Sequence, residues 1–149
     1  MSRARFTREL TLKAPPAVVW DVLADLPAYR EWNPVVTIAE GRLEEGRRLA
    51  LRLAPSGRIA YIVRPRVSLV VPERELRWRR RMPLVTTEQL FELEPVPGGT
   101  RLVHGQEAWG PLVPADGTGR RERMRDRALR DYAPFEAALR DRVGTSMRP

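Results

Sequence analysis

Apolar and polar residues alternate at the start of the chain and then change period. Over residues 6–13 the alternation leaves one face apolar, which predicts a half-buried β-strand. Residues 18–23 repeat instead at helical spacing, which predicts a short amphipathic helix that ends before Pro27. A second short helix or turn is predicted over residues 28–32, closed by Asn33.

Six further strands are predicted in the middle of the chain, because short alternating runs are separated by Gly and Pro and no helical period interrupts them. Their predicted bounds are 35–40, 47–54, 58–71, 75–82, 84–94 and 100–109. Pro65 interrupts the longest run and cannot donate a hydrogen bond to a neighbouring strand. We therefore expect an edge position or a β-bulge at Pro65.

The C-terminal part predicts one helix of roughly 24 residues after the breaker-rich segment 111–119. Its apolar residues recur three or four positions apart and form one stripe: Met124, Ala128, Tyr132, Phe135, Leu139 and Val143. Pro134 should kink this helix, because its nitrogen cannot donate to the carbonyl of Arg130. Residues 1–5 and 144–149 are expected to be flexible tails.

These elements predict an α+β fold in a single domain over residues 1–149. A seven-stranded antiparallel sheet with one apolar face needs a cover, and the final helix is the only long element available. The sheet is therefore expected to curve around the long C-terminal helix, with two short helices between the first and second strands. A curved sheet around one helix leaves interior volume that side chains need not fill.

Charge and composition change this picture only slightly. The chain has 27 basic and 19 acidic residues, a formal net charge of +8, and Lys13 as its only lysine. The net charge permits salt-sensitive attraction to nucleic acid, anionic lipid or acidic partners. The absence of Cys excludes disulfides, a thiolate zinc site and a Cys nucleophile. No run is long and apolar enough for a membrane helix or signal peptide, so we expect a cytoplasmic protein.

Segments spread over the whole chain carry a family resemblance: residues 14–25, 29–34, 72–78, 91–95, 98–102 and 104–110. In order and spacing they resemble the START-like superfamily, also called the Bet v 1-like or helix-grip fold, and within it the bacterial polyketide cyclase/dehydrase and lipid-transport group. The resemblance implies an apolar cavity between the sheet and the C-terminal helix that holds lipids, polyketides or other hydrophobic molecules. It also implies cyclase or aromatase chemistry in some members. No cofactor is expected.

The last strand departs from the pattern of the group it resembles. Members often have Glu and Phe two residues apart where this chain has Gln106 and Ala108, whereas Glu107 and Trp109 follow one position later. Either the strand carries a one-residue bulge near Gln106, or the cavity has lost its acid. The difference matters because a slip of one residue reverses which side chains point inward.

The expected ligand-binding residues are those whose strand or helix face would meet the cavity. They are Trp32, Asn33, Leu51, Tyr61, Val63, Trp78, Arg80, Phe91, His104, Gln106, Met124 and Tyr132, with Trp32 and Asn33 at the mouth. His104 could be a general acid or base if a carboxylate such as Glu88 oriented it, although a structural role is favoured. Arg80 could pair with an anionic group of a ligand, or in an enzyme it could, like His104, polarise a polyketide carbonyl, although a long side chain that reaches solvent is favoured.

The arginine-rich run 120–127 is the main argument for a nucleic-acid or membrane surface. Acidic residues recur within it and no aromatic residue is available to stack on bases, so a solvated, ion-paired face is favoured over a specific nucleic-acid site. A weak contact with anionic membranes stays open. No metal site is predicted, because His104 is the only histidine and no cluster has ligand spacing. We therefore expect binding of a small hydrophobic or amphipathic ligand, with an aromatase/cyclase-type enzyme as the alternative and a basic adaptor as the third possibility.

Overall fold

The computed structural model describes residues 2–148. Over these residues the strands are β1 (Ser2–Leu12), β2 (Val36–Glu40), β3 (Ala50–Leu53), β4 (Tyr61–Val63), β5 (Arg66–Val71), β6 (Glu75–Met82), β7 (Val85–Val96) and β8 (Gly99–Gly110). The helices are α1 (Pro16–Ala24), α2 (Tyr29–Trp32), α3 (Gly119–Leu129) and α4 (Tyr132–Ser146), with a short 3-10 turn at Leu26–Ala28. The fold is thus α+β with an antiparallel sheet and a C-terminal helical segment.

The strands form two antiparallel sheets that meet along one short seam. The larger sheet has the order β1-β8-β7-β6-β5, and the smaller sheet has the order β2-β3-β4. At the seam the amide of Gly46 donates to the carbonyl of Val67 at 2.8 Å, and the amide of Leu49 donates to the carbonyl of Pro65 at 2.8 Å. The two sheets therefore form one curved surface whose inner face covers the core.

The helical segment lies across the inner face of this surface. Leu139 of α4 is fully buried in the same cluster as Leu102, Leu12 and Val19. Helix α3 covers a second, smaller cluster that contains Phe6. No residue of α3 is itself buried. Helix α4 therefore packs in the main core, whereas α3 covers only the smaller cluster.

Two predicted elements are each divided in the structure. The run 58–71 gives β4 and β5, separated at Pro65, so the described residues contain eight strands where seven were expected. The long helix was predicted as one kinked element but is two helices that meet at Arg130–Asp131. Pro134 accounts for this break. In a continuous helix its nitrogen could not donate a hydrogen bond to the carbonyl of Arg130, and its ring would clash with that carbonyl.

The expected tails belong largely to regular elements, so that expectation is wrong for the described residues. Ser2 to Arg5 pair with Gly110 to Glu107 in the sheet. Gly144 to Ser146 form the last turn of α4. Met1 and Pro149 lie outside the described residues.

Strand β8 runs without a bulge, which decides between the two explanations left open by the sequence. Its register is continuous against both neighbours, with Gln106 opposite Gln89 and Phe6, and Glu107 opposite Glu88 and Arg5. Because side chains alternate along a strand, Gln106 points to the inner face and Glu107 to the outer face. The inner face of β8 therefore carries Gln106 at the position where the resemblance implied a glutamate.

Candidate functional site

A cavity of about 490 Å³ lies between the inner face of the sheet and the helices α3 and α4. Its strand residues are Leu51, Leu53, Tyr61, Val63, Trp78, Arg80, Met82, Val85, Thr87, Gln89, Phe91, His104 and Gln106. The other lining residues come from helices, loops and the first position of β2: Tyr29, Asn33, Val35, Val36, Pro55, Arg58, Pro65, Met124, Arg127, Ala128, Arg130, Asp131, Tyr132 and Phe135. The wall is thus apolar over most of its length, with polar and cationic groups at separate places.

The register of the central strands orders the wall into rows. Phe91 lies opposite His104, and Trp78 lies opposite Gln89, which itself lies opposite Gln106. Arg80 is two positions farther along β6 than Trp78, a separation of about 7 Å along a strand. Phe91 and Arg80 consequently lie at opposite ends of this part of the wall.

An aromatic surface runs along the cavity. The ring of Trp78 lies 5.5 Å from that of Phe91, whose ring lies 6.1 Å from that of Phe135. Phe135 in turn lies 5.2 Å from His104, and His104 lies 4.9 Å from Tyr132. The separations between these rings lie within the range of roughly 4.5 to 7 Å in which aromatic pairs attract one another. The surface offers large, preformed contacts to an apolar molecule.

His104 is fully buried at the closed side of the cavity and is held neutral. Burial lowers the pKa of His104 from 6.5 to about 4, although Glu136 opposes the shift. Its Nε2 lies 3.7 Å from Oε1 of Glu136, which is too long for a hydrogen bond. Glu136 instead forms an ion pair with Arg8 at 2.5 Å. Neither ring nitrogen of His104 has a hydrogen-bond partner among residues 2–148, so a polar group of a ligand could satisfy one.

Glu88 is not the partner of His104, and that expectation is wrong. Glu88 projects from the outer face, where it forms ion pairs with Arg77 at 3.2 Å and Arg79 at 2.9 Å. Ser68 donates a third contact to it at 2.8 Å. Burial would raise the pKa of Glu88, but these three contacts outweigh burial and lower it. The carboxylate facing His104 comes from α4 instead.

Tyr132 adds a second polar group beside His104. Burial raises the pKa of its phenol to about 12, although hydrogen bonding to Gln89 opposes the shift. The hydroxyl is therefore protonated at neutral pH and can donate a hydrogen bond. Together with Gln89 and Gln106, it makes this side of the cavity able to orient a carbonyl or hydroxyl group.

The cavity opens where its lining residues reach solvent. Tyr61 is 46% exposed, and the side chains of Arg58, Arg127 and Arg130 are exposed as well. The opening therefore lies between β4 and the junction of α3 with α4. The division of the predicted long helix creates one side of this opening.

Eleven of the twelve residues expected at the ligand site line the cavity, and Trp32 does not. The ring of Trp32 packs between Tyr29 at 5.4 Å and Phe135 at 5.8 Å, and it borders a separate pocket of about 270 Å³. Placing Trp32 at the mouth was wrong, because α2 turns its ring toward the inside of α4. Asn33 does line the cavity, but it is buried, so placing it at the mouth was also wrong. Its Oδ1 accepts hydrogen bonds from the amides of Val35 and Val36.

Some lining residues were not expected from the sequence. Thr87 and Gln89 share the strand face of Phe91, so the alternation of β7 contains the signal that places them there. Phe135 follows Tyr132 by three positions on the apolar stripe of the helix. Arg127 and Arg130 reach the cavity because the helix breaks beside them, and no apolar pattern signals that.

The described part of the chain has neither a metal-binding cluster nor a membrane-spanning helix. Across residues 2–148, no three His, Asp or Glu side chains come close enough together to bind a metal ion. In the same residues, every helix is too short or too polar to cross a bilayer.

A curved antiparallel sheet that grips a C-terminal helical segment around a cavity defines the START-like, or Bet v 1-like, class of proteins. A START superfamily protein from Mycobacterium smegmatis has a TM-score of 0.73 at 20% identity, covering 95% of this chain and 97% of that one. The Zhui aromatase/cyclase from Streptomyces sp. R1128 has a TM-score of 0.72 at 20% identity, covering 99% and 97%. The di-domain ARO/CYC BexL of the BE-7585A biosynthetic pathway has a TM-score of 0.76 at 14% identity, covering 99% of this chain and 51% of that one. At such identities the likeness shows the fold.

The sequence gives the narrower assignment. The family model described as polyketide cyclase/dehydrase and lipid transport matches residues 3–143. The chain belongs to this family. A search of the curated proteins gives no match.

Proposed function

We propose that this protein binds a small hydrophobic or amphipathic molecule, such as a lipid or a polyketide, in the cavity between the sheet and the helices α3 and α4. The observation that carries the proposal is the cavity itself, about 490 Å³ in volume and lined by aromatic and aliphatic side chains. That volume lies within the range of roughly 300 to 1,000 Å³ of small-molecule sites. Membership of the family agrees with the same class of ligand.

Binding would be driven by removing the apolar body of the ligand from water. Burial of roughly 200 Å² of apolar ligand surface contributes about 5 kcal/mol, before the entropy lost on binding is subtracted. Trp78, Phe91 and Phe135 supply the large contacts on this wall. His104, Tyr132 and the glutamines beside them would fix the orientation of a polar group.

The test uses Nile red, a neutral fluorescent probe that brightens in an apolar site. Trp78→Ala is expected to weaken Nile red binding about tenfold, because an inner-face ring that contacts the probe is lost. Trp109→Ala is the matched control, since Trp109 projects from the outer face and contacts Arg3 and Arg79. Fluorescence titration measures the affinity, and thermal unfolding checks that each variant is folded.

A second variant keeps the test independent of damage to the core. Thr87→Trp adds volume from a half-buried cavity position and should block Nile red while the protein stays folded. Equal affinity of the wild type, Trp78→Ala and Thr87→Trp proteins would overturn the proposal. Native mass spectrometry of freshly purified protein would identify a co-purifying molecule.

An aromatase/cyclase-type enzyme that uses the same cavity is the alternative function. The observation that favours it is a neutral imidazole in the cavity wall whose nitrogens have no partner among the described residues. Neutral His104 could accept or donate a proton at a carbonyl compound, with Tyr132 as a neighbouring donor. Chemical conversion of a bound compound that is lost in His104→Gln, with binding retained, would support the enzyme. Recovery of the compound unchanged supports binding alone.

A weak contact with anionic membranes is part of the proposal, and a specific nucleic-acid partner is not. The side chains of Arg120, Arg123 and Arg125 are exposed on α3, which borders the cavity opening. Ile59, 90% exposed, and Ile62, 56% exposed, flank the opening on the other side. Acidic residues between the arginines of α3 and the lack of stacking aromatics argue against base recognition. The cytoplasmic location stays a prediction.

A further inference from the structure

Positively charged side chains outnumber negatively charged ones along the cavity. Among residues 2–148, four arginines line it, namely Arg58, Arg80, Arg127 and Arg130, whereas Asp131 is the only carboxylate in its lining. That carboxylate is already engaged, because the amide of Ser56 donates to its Oδ1 at 3.2 Å. An apolar cavity with this excess of cations is suited to a molecule that carries negative charge.

Arg80 is the lining arginine that a strand contributes, from β6. It is half-buried on the inner face of β6, and among residues 2–148 no carboxylate oxygen lies within 4.0 Å of its guanidinium. Its neighbours Arg77 and Arg79 project from the outer face, where both form ion pairs with Glu88. A partly buried cation without a partner loses hydration and gains nothing in return. An anion that enters the cavity would supply the missing partner.

The position of Arg80 relative to the aromatic surface defines the shape of the ligand. Trp78 lies two positions from Arg80 on the same face, and Phe91 lies farther along in the same direction. A head group at Arg80 therefore leaves the body of the molecule lying over Trp78 and Phe91. The guanidinium presents several N–H donors, which match the oxygens of a carboxylate or phosphate.

We infer that the ligand is an amphipathic anion whose carboxylate or phosphate pairs with Arg80 while its apolar body lies against Trp78 and Phe91. The inference rests on the proposed function and names its ligand class. It assigns opposite roles to the two ends of the cavity. The cationic end near the opening receives the head group, and the aromatic end beside His104 receives the tail.

The test compares ten-carbon probes that differ only in the head group, each below its micelle-forming concentration. Decanoate and decyl phosphate should displace Nile red about tenfold more effectively than 1-decanol, since a charge-assisted hydrogen bond adds to the same apolar contact. Decyltrimethylammonium should bind most weakly. The better of the two anions shows whether a carboxylate or a phosphate is preferred.

Arg80→Gln should abolish the preference for anions, because the charged partner of the head group is lost while Trp78 and Phe91 remain. Arg81→Gln is the matched control, because it removes the same charge from the next residue of β6, which is exposed on the outer face. Equal affinity of the wild type for decanoate, decyl phosphate and 1-decanol would overturn the inference while leaving cavity binding intact. A preference that survives Arg80→Gln would also overturn it. Failure of Nile red itself to bind would instead count against the proposed function.

Discussion

His104 combines complete burial with a titratable ring, so its protonation must affect folding. Its pKa is 6.5 when exposed to solvent and about 4 in the folded protein, because burial penalises the charged form. Between these two values the unfolded chain binds more protons than the folded protein. The stability that depends on neutral His104 is therefore complete above about pH 6.5 and is lost as the pH falls toward 4.

We expect the free energy of unfolding to fall by about 2 kcal/mol between pH 7 and pH 5 through this residue alone. Urea unfolding at both pH values measures the loss. The variant His104→Gln cannot titrate, and the difference between wild type and variant separates His104 from the carboxylates. An equal pH dependence in both proteins would show that His104 is not held neutral by burial.

For single residues, the alternation of side chains along strands predicted which residues line the cavity, whereas the carboxylate expected to orient His104 was predicted wrongly. Trp78, Phe91 and His104 were expected at the cavity, and their positions follow from the period of two. The same rule excludes Glu88, which lies three positions from Phe91 and must point to the other face. The carboxylate that does lie near His104, that of Glu136, could not be predicted, because the rotation of α4 against the sheet depends on packing and not on the sequence of α4 alone.

Among the elements, β1 and β8 approach each other closely at two glycines of β8, Gly99 and Gly105. A Cβ atom at Gly105 would lie 2.1 Å from the carbonyl oxygen of Phe6, which is far inside contact distance. Any side chain there would push the edge strand away and break backbone hydrogen bonds of the pair. Gly144 in α4 is the opposite case, because no atom lies within 4 Å of the Cβ position.

Gly105→Ala is therefore expected to lower the free energy of unfolding by about 3 kcal/mol, from steric displacement of β1. Gly144→Ala should raise it by about 0.5 to 1 kcal/mol, because alanine favours the helix and restricts the unfolded chain. Denaturant unfolding of the two variants makes the comparison. Similar effects of the two substitutions would contradict the close approach at Gly105.

The presence of a strand or helix could be predicted where the sequence pattern was strong. Whether a predicted element is broken into two could not. The bounds 75–82 predicted for the fourth strand of the middle segment agree with β6 as observed. The C-terminal stripe correctly indicated helix but concealed the break, because Tyr132 continues the spacing of Met124 and Ala128 across it. Pro134 signalled a distortion, and only the surrounding packing decides whether a kink or a new helix results.

For the molecule as a whole, the distribution of charge differs between the two faces of the sheet. On the outer face Arg77 reaches Glu75, Glu88, Glu92 and Glu107, so positive and negative groups neutralise one another. On α3 and around the cavity opening the arginines outnumber the acids. The side where a ligand would enter therefore carries an excess of positive charge.

We therefore expect weak, salt-sensitive binding to vesicles that contain 30% phosphatidylserine and none to pure phosphatidylcholine vesicles. Co-sedimentation at 50 mM and 500 mM NaCl measures it, and binding should disappear at the higher salt. The triple variant Arg120→Gln, Arg123→Gln, Arg125→Gln should lose most of the binding. Binding that persists in high salt, or in the triple variant, would contradict a contact through α3.

The seam between the two sheets has a mechanical consequence. Among residues 2–148, the backbone hydrogen bonds that join the small sheet to the large one lie at residues 46–49 and 65–67, so we expect β3 and β4 to shift relative to β6 more easily than β6, β7 and β8 shift relative to one another. The small sheet should thus be the adjustable wall of the cavity, and the large sheet should be the rigid wall. Ligands of different width should be accommodated by movement of the small sheet. The aromatic rings on the large sheet should then change position little from one ligand to another.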